Sequence, residues 1–307
     1  MVKHINSIPM KKILILFIIT IFSITAFSQQ IPLNAQYHFD LYQINPAAAG
    51  SQEYMPVSLS FRKFWVGING TPSVQALSGH VTVADRMGVG VRIFNYMQGP
   101  LRQTGMEATY AYHIPLSEEG PNISLGLSPT FYQYYLDKSS LTMEDPNDAV
   151  LLGGNKKIVP DANFGGLLYD NKYFLGISVF QLFQGKINLG TEGITEQQKN
   201  VRHYYFNGGY NFEINDNIML QPSLLLKFLE AGVFQADINL HSVLFKTVNF
   251  GLSYRTQDAL SIQVGYQNKS ILFGYAFDIS MSDLRTQTSG SHEIIFIYKM
   301  PNFLIKK

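Results

Sequence analysis

The segment Thr247–Ser280, TVNFGLSYRTQDALSIQVGYQNKSILFGYAFDIS, contains three strand-like repeats in direct succession. In each repeat, aromatic or branched apolar residues alternate with small or polar ones. The apolar set comprises Val248, Phe250, Leu252, Tyr254, Leu260, Ile262, Val264, Tyr266, Ile271, Phe273, Tyr275 and Phe277. A period of two places the two sets on opposite faces of a sheet. Each repeat is about 8–10 residues long, the length that a tilted transmembrane strand requires.

The composition of the whole chain is typical of a membrane barrel. Only 15% of its 307 residues are charged, 13% are aromatic, and the mean hydropathy is +0.02. Soluble domains have about 25% charged residues. Membrane helices need apolar runs of about 20 residues, and the sequence has none after residue 28. The net charge of +1 gives no electrostatic case for nucleic-acid binding. The lack of cysteine excludes disulfides, thiol catalysis and lipoprotein anchoring.

Residues 1–28 have the pattern of a secretory signal peptide. Lys11 and Lys12 precede an apolar run that is long enough for a signal and short for a spanning helix. Small residues, Ala26 and Ser28, stand at positions −3 and −1 before the predicted cleavage site, and Gln29 is the predicted first residue of the mature chain. Met10 stands directly before the two lysines and is a candidate for the true translation start.

We expect residues 29–56 to form a periplasmic N-terminal lead-in and residues 57–307 to form one barrel domain. The lead-in ends in Asn45-Pro46-Ala47-Ala48-Ala49-Gly50, whose Asn-Pro start and closing glycine are typical of a turn. The alternation that follows gives fourteen predicted strands, an even number, as single-chain bacterial barrels have. They are 57–65, 74–84, 87–95, 104–113, 122–134, 161–169, 173–181, 201–212, 217–228, 234–245, three within 247–280, and 291–299.

The connections between the predicted strands alternate in length. Turns such as Asp85-Arg86 and Asn268-Lys269 are short. The expected long connections are 64–73, 96–103, 135–160, 182–200 and 281–290. Outer-membrane barrels have short periplasmic turns and longer outer loops, so both termini are predicted to lie in the periplasm. Because a bilayer core cannot satisfy free backbone groups, the sheet must close. The predicted fold is therefore all-β, an antiparallel transmembrane β-barrel of outer-membrane type with about fourteen strands.

Charged and small residues on the polar face are candidates for a site in the lumen. The charges are Arg62, Arg92, Glu107, Lys227, Asp237, Arg255 and Glu293. They could line a solute path or pair with one another inside a filled lumen, and we favour the second arrangement. The small residues are Gly90, Gly126, Gly251, Gly265 and Gly274. They indicate that something else occupies the lumen or that the wall bends.

Other polar groups give no specific site. The segment Glu144–Asp148 offers oxygen ligands for Ca²⁺, but it lacks the regular spacing of a calcium loop and is expected to be a solvated turn. His241 is followed directly by Ser242, so the two side chains lie on opposite faces of a strand and cannot form a dyad. The sequence therefore predicts no enzyme, no cofactor and no metal. The aromatic residues on the apolar face fit interfacial girdles.

Two motifs near the start of the predicted barrel resemble the PorP/SprF family. The first is Tyr42–Gly50, which is similar to the family's Asn-Pro-Ala turn, and the second is Phe61–Pro72, which contains an Arg-x-x-Trp and a Gly-x-Pro. The stretch Tyr110–Leu116 resembles the next block of the family. The motif residues are Asn45, Pro46, Gly50, Arg62, Trp65, Gly70 and Pro72, and we expect them to be structural or partner-binding.

The resemblance implies a non-enzymatic outer-membrane component of the type IX secretion and gliding machinery of Bacteroidetes. Such proteins assist the export or surface anchoring of cargo such as adhesins. The implied partners are a secreted adhesin, periplasmic secretion components, or both, together with outer-membrane lipid. Two alternatives remain. A solute channel of the fatty-acid-transporter or porin type would need a sizeable N-terminal plug, for which residues 29–50 are too few. A surface adhesin would act through its own loops.

Overall fold

The computed structural model describes residues 31–118, 120–141, 155–187, 198–230, 232–302 and 304. The predicted signal peptide, the alternative start at Met10 and the acidic segment Glu144–Asp148 lie outside the described residues. In the part of the chain that is described, no helix has both the length and the apolar character to cross a membrane.

Fourteen antiparallel strands of the described residues close into one barrel, which confirms the predicted fold. They are β1 (Tyr54–Lys63), β2 (Ser73–Ala84), β3 (Met87–Gln98), β4 (Leu101–Pro115), β5 (Asn122–Leu136), β6 (Lys156–Tyr169), β7 (Tyr173–Phe180), β8 (His203–Tyr210), β9 (Ile218–Leu229), β10 (Phe234–Leu244), β11 (Val248–Arg255), β12 (Ala259–Gln267), β13 (Ile271–Ser280) and β14 (Ser291–Pro301). Consecutive strands pair, and β1 pairs with β14 to close the barrel. Phe212–Asn215 extends β8 along β9, and Lys186–Ile187 pairs with Gln198–Lys199 in a separate hairpin.

The two faces of the strands differ as the alternation predicts. On β11, Phe250, Leu252 and Tyr254 expose between 41% and 43% of their surface, whereas Asn249 and Ser253 are buried. The apolar face therefore points outward and the polar face points into the lumen. In a bilayer this arrangement puts hydrocarbon against apolar side chains and keeps the backbone hydrogen bonds within the closed sheet.

The two ends of the barrel are distinguished by their connections. We call the end that carries residues 64–72, 181–187, 198–202 and 281–290 the long-loop end, and the opposite end the short-turn end. The predicted long connection 96–103 is wrong, because β3 and β4 continue beyond their apolar parts and meet at Gly99-Pro100. β1 ends at Lys63, so Trp65 lies in the following connection rather than in a strand.

The segment Ile31–Gly50, which we call the plug, lies inside the barrel. It forms three short 3-10 turns, at Tyr37–Phe39, Leu41–Gln43 and Pro46–Ala48. Most of its side chains are buried against the inner wall. The prediction of a periplasmic lead-in over residues 29–56 is therefore wrong for the plug. Its tyrosine, isoleucine and alanine side chains gain more from burial in the lumen than from exposure to water.

The plug crosses the lumen from one end to the other. The Ile31 amide donates to His203, at the long-loop end of β8. At the other end of the plug, the Gly50 carbonyl accepts from Thr82, close to the Asp85-Arg86 turn. The described C-terminal strand finishes at the short-turn end, opposite the start of β1. The prediction that both termini share one end of the barrel consequently does not hold for the described residues.

Candidate functional site in the barrel lumen

The first contact between wall and plug is an ion-pair cluster around Arg62. This side chain is 1% exposed and pairs with Asp278 and with Glu293, the latter at 3.5 Å. It also donates to the Leu33 carbonyl of the plug at 2.5 Å. The Glu293 carboxylate accepts the backbone N–H of Ala35. The charges thus bind the plug backbone as well as each other.

A second group of charges continues from the first. Asp237 lies 2.9 Å from Lys227 and 3.3 Å from Arg255. Arg255 also lies 3.4 Å from Asp278, which joins the two groups into one network. Ion pairs of this kind are costly to break, because removal of one partner leaves an uncompensated buried charge.

A separate ion pair lies on β3 and β4, across the lumen from Lys227 and Asp237. Arg92 is 3.8 Å from Glu107 and donates to the Gln43 carbonyl of the plug at 2.7 Å. Asn163 donates to the same carboxylate at 3.1 Å. All the charges predicted to face inward are at most 7% exposed and paired, which supports the filled lumen that we favoured. Sequence reasoning missed Asp278, although its place in the alternation put it on the inner face.

The Asn45–Gly50 turn forms the end of the plug that lies nearest the short-turn end of the barrel. Asn45 caps it, since its side-chain oxygen accepts the Ala47 amide at 3.0 Å and its amide nitrogen donates to the Gly166 carbonyl at 3.0 Å. Gly50 adopts φ +81°, a conformation that residues with a side chain rarely take. The predicted turn is confirmed.

The glycines of the wall make room for this turn. A Cβ atom at Gly126 would lie 2.4 Å from the Ala47 nitrogen, and one at Gly90 would lie 2.8 Å from the Tyr42 ring. Gly274 also faces the plug, whereas Gly251 and Gly265 face neighbouring wall residues. Three of the five predicted small inward residues therefore lie beside the plug, and the other two lie beside wall residues.

Histidines of the wall hold both ends of the plug, a feature that sequence reasoning missed. His80 Nδ1 accepts the Gly50 amide at 3.0 Å, and His113 Nε2 donates to the Ala49 carbonyl at 2.9 Å. At the long-loop end, His203 Nε2 accepts the Ile31 amide at 3.0 Å. The sequence signal that could have indicated these contacts is the recurrence of histidine at inward positions of separate strands.

His38 is a histidine near the middle of the plug. Its ring lies 4.6 Å from the His241 ring and 4.2 Å from the Phe39 ring. Burial, reinforced by the neighbouring His241, holds the pKa of His38 well below its ordinary value. The plug therefore carries this imidazole in its neutral form.

Aromatic side chains of the wall fill the part of the lumen beside the plug. The cluster consists of Val74, Phe94, Tyr96, Tyr132, Tyr134, Val159 and Ile187. Ile31 and Phe64 pack against it. Together with the plug, this cluster makes the interior near the long-loop end a packed core.

A cavity of about 290 Å³ remains at the long-loop end. Ile31, Trp65 and Pro72 are among the residues that line it. Trp65 adopts φ +45°, and its amide donates to the Ser291 hydroxyl at 3.1 Å. Gly70 adopts φ +74° within the same connection. The structure thus brings Trp65, Gly70 and Pro72 to this mouth, with Arg62 beneath them. Asn45, Pro46 and Gly50 form a separate group towards the short-turn end.

These features define a class of protein: a closed barrel of outer-membrane type whose lumen is filled by its own N-terminal segment. Within the described residues, no group of three or more histidine or acidic side chains is placed to hold a metal ion. The family described as "Type IX secretion system membrane protein PorP/SprF" matches residues 26–298. The chain belongs to this family, and it is a membrane component of the type IX secretion system.

Solved structures with a similar fold are outer-membrane barrels. The Ralstonia pickettii toluene transporter TbuX is 12% identical, with 84% of this chain and 92% of that one covered and a TM-score of 0.48. A Pseudomonas aeruginosa FadL homologue is 10% identical, with 87% and 94% covered and a TM-score of 0.48. The Acinetobacter baumannii outer membrane protein Omp33 is 8% identical, with 82% and 100% covered and a TM-score of 0.47. A search of curated proteins finds no match.

Proposed function

We propose that this protein is a non-enzymatic accessory of type IX secretion and gliding that assists the export or surface anchoring of cargo such as adhesins. The observation that supports this proposal best is the family match over residues 26–298. The plug is consistent with it, because Arg62, Glu293 and Arg92 bind the plug firmly to the wall. A barrel whose interior is occupied in this way offers its two ends and its outer face for function. Family membership supplies the secretion machinery as the context.

The alternative is a solute channel. A transporter of this type was expected to have a sizeable N-terminal plug; residues 31–50 do occupy the lumen, but they form only three short 3-10 turns. A solute would have to displace a segment that is hydrogen-bonded at Ile31, near its middle and at Gly50. We therefore favour a fixed plug, and with it a role in holding proteins rather than in conducting solutes.

The proposed orientation places the long-loop end outside the cell and the short-turn end in the periplasm. The plug would then begin at the cell surface, whereas the C-terminal strand would finish at the periplasmic end. In this orientation the long-loop end is the part available to secreted cargo, and the short-turn end is the part available to periplasmic secretion components.

The test is a gentle detergent pull-down of the tagged protein from outer membranes, with the co-purifying proteins identified. We expect a large secreted adhesin, periplasmic secretion components, or both. An unrelated barrel with the same tag serves as the control. Recovery of a lone barrel that conducts solute in planar bilayers would overturn the proposal and favour the channel.

A further inference from the structure

The outward face of the barrel changes character near the long-loop end of β4. From the short-turn end, the outward residues Ile114, Tyr110 and Met106 are exposed and apolar. The next two outward positions are Thr104 and Arg102. The apolar band that suits hydrocarbon therefore ends at Thr104.

The same change occurs on the neighbouring strands and forms a polar row. Gln75, Asn95, Thr104 and Gln133 lie directly opposite one another across β2, β3, β4 and β5. Asn95 donates to Gln75 at 3.4 Å, and Thr104 donates to Asn95 at 3.2 Å. Residues that lie directly opposite share one face of the sheet. This row consequently marks the level at which hydrocarbon gives way to lipid headgroups on this side of the barrel.

A row with three cations follows one outward position further towards the long-loop end. Its members, opposite one another in sequence across β1 to β6, are Lys63, Ser73, Met97, Arg102, Tyr135 and Lys156. Neighbouring strands are about 4.8 Å apart, so the backbones at Arg102 and Lys156 are separated by about 10 Å. The Lys156 ammonium lies 5.7 Å from the Tyr135 ring.

These cations have weaker contacts with negatively charged side chains than the cations of the lumen have. Arg102 is 54% exposed at its side chain and lies 3.9 Å from Asp137, at the limit of an ion pair. Lys63 donates to the Thr71 carbonyl, which is neutral. In the part of the chain that the structure describes, β9 to β13 have no counterpart of this row near the same end. There, exposed outward residues of β9 to β13 stay apolar, and they include Phe228, Phe234, Tyr254, Leu260 and Ile279. Among the outward strand positions near this end that the structure describes, these cations therefore lie on β1 to β6.

We propose that Arg102 and Lys156, which flank Tyr135, form a binding site for the phosphate group of a phosphorylated lipid in the leaflet at the long-loop end. The cations match the charge of the phosphates, the polar row matches the linking groups, and the apolar band matches the acyl chains. The site rests on the proposed outer-membrane placement, but not on the identity of the cargo. It would fix the rotation and depth of the barrel relative to its partners.

The test measures retention of phosphatidic acid by the purified protein. The protein is placed in phosphatidylcholine nanodiscs that contain labelled phosphatidic acid, and the bound label is counted after exchange with unlabelled phosphatidylcholine. We expect the double variant Arg102→Gln, Lys156→Gln to lose retention by on the order of tenfold or more, because each cation near an anionic lipid surface contributes measurably.

Lys157→Gln is the matched control. Lys157 is the next residue of β6 and is also exposed, but it lies opposite Tyr134 on the other face of the strand. It should retain phosphatidic acid like the unaltered protein. Heat-modifiable mobility on gels checks that each variant is folded, and the single variant Arg102→Gln replaces the double variant if that one does not fold. Equal retention by the folded cation variant and the unaltered protein would overturn the site, as would an equal loss in Lys157→Gln. Neither outcome bears on the pull-down of cargo.

Discussion

Arg62 connects the plug to the barrel wall through both its charge and its hydrogen bonds. Replacement by Gln leaves Asp278 and Glu293 without this cation and weakens the contact with Leu33. We expect Arg62→Gln to lower the free energy of unfolding by about 3–5 kcal/mol, since a buried charge is left uncompensated. Urea unfolding in phospholipid vesicles, followed by the fluorescence of the one tryptophan, measures it.

Arg202→Gln is the control for this change. Arg202 pairs with Glu230 at 3.5 Å, and both side chains are partly exposed. Exposed pairs contribute about 0–1 kcal/mol, so this variant should unfold almost like the unaltered protein. If the free energy of unfolding fell by similar amounts in the two variants, the ion-pair network in the lumen would not be a major source of stability.

His38 gives the plug a dependence on pH. Because its pKa is lowered by burial and by His241, the folded state binds a proton less readily than the unfolded state. Its contribution to stability is therefore complete above the ordinary pKa of 6.5 and is lost as the pH falls below that value. We expect His38→Gln to reduce the loss of stability between neutral and acidic pH, as measured by urea unfolding at a series of pH values. An unchanged slope would contradict the assignment.

At the scale of elements, the close fit between the Asn45–Gly50 turn and β5 is open to test. Gly126→Ala places a Cβ atom against the backbone of the turn, and overpacking of this kind costs about 1–3 kcal/mol. We expect a lower unfolding midpoint. Gly166→Ala is the control, because its Cβ atom would lie 3.5 Å from the nearest side chain, an ordinary contact. If Gly126→Ala left the unfolding midpoint unchanged, the turn would not be packed closely against β5.

The strands could be predicted from sequence, whereas the plug could not. Alternation assigned β11, β12 and β13 because each lies between hydrocarbon and a polar interior, so its pattern has a period of two. The 3-10 turns of the plug have no such period, and their small apolar residues read as a loop. Gly126 and Gly90 gave an indirect signal, since a wall without side chains implies an occupant.

The candidate site was predicted in part for similar reasons. Inward charges such as Arg62 and Arg255 follow from alternation, but their partners depend on which strands meet across the lumen. Asp278 serves both arginines because β13 lies between them in the closed barrel, which one strand's sequence cannot show. The contacts of Trp65 likewise depend on the fold of the connection that contains it.

At the scale of the whole molecule, the absence of cysteine in the sequence allows the orientation to be tested with single cysteines. Asp283 is exposed in the 281–290 connection at the long-loop end, and Lys269 is exposed in a turn at the short-turn end. We expect a membrane-impermeant maleimide to label Asp283→Cys on intact cells and to label Lys269→Cys only after permeabilisation. The reverse pattern would invert the proposed orientation.

The central claim is that the barrel is filled by its own plug. It is tested most directly by the conductance of the purified protein in planar bilayers, compared with a variant that lacks residues 31–50. We predict that the unaltered protein gives no steady conductance and that the deletion variant, once shown to be folded by its heat-modifiable mobility, conducts ions. A steady conductance of the unaltered protein equal to that of the deletion variant would contradict the claim.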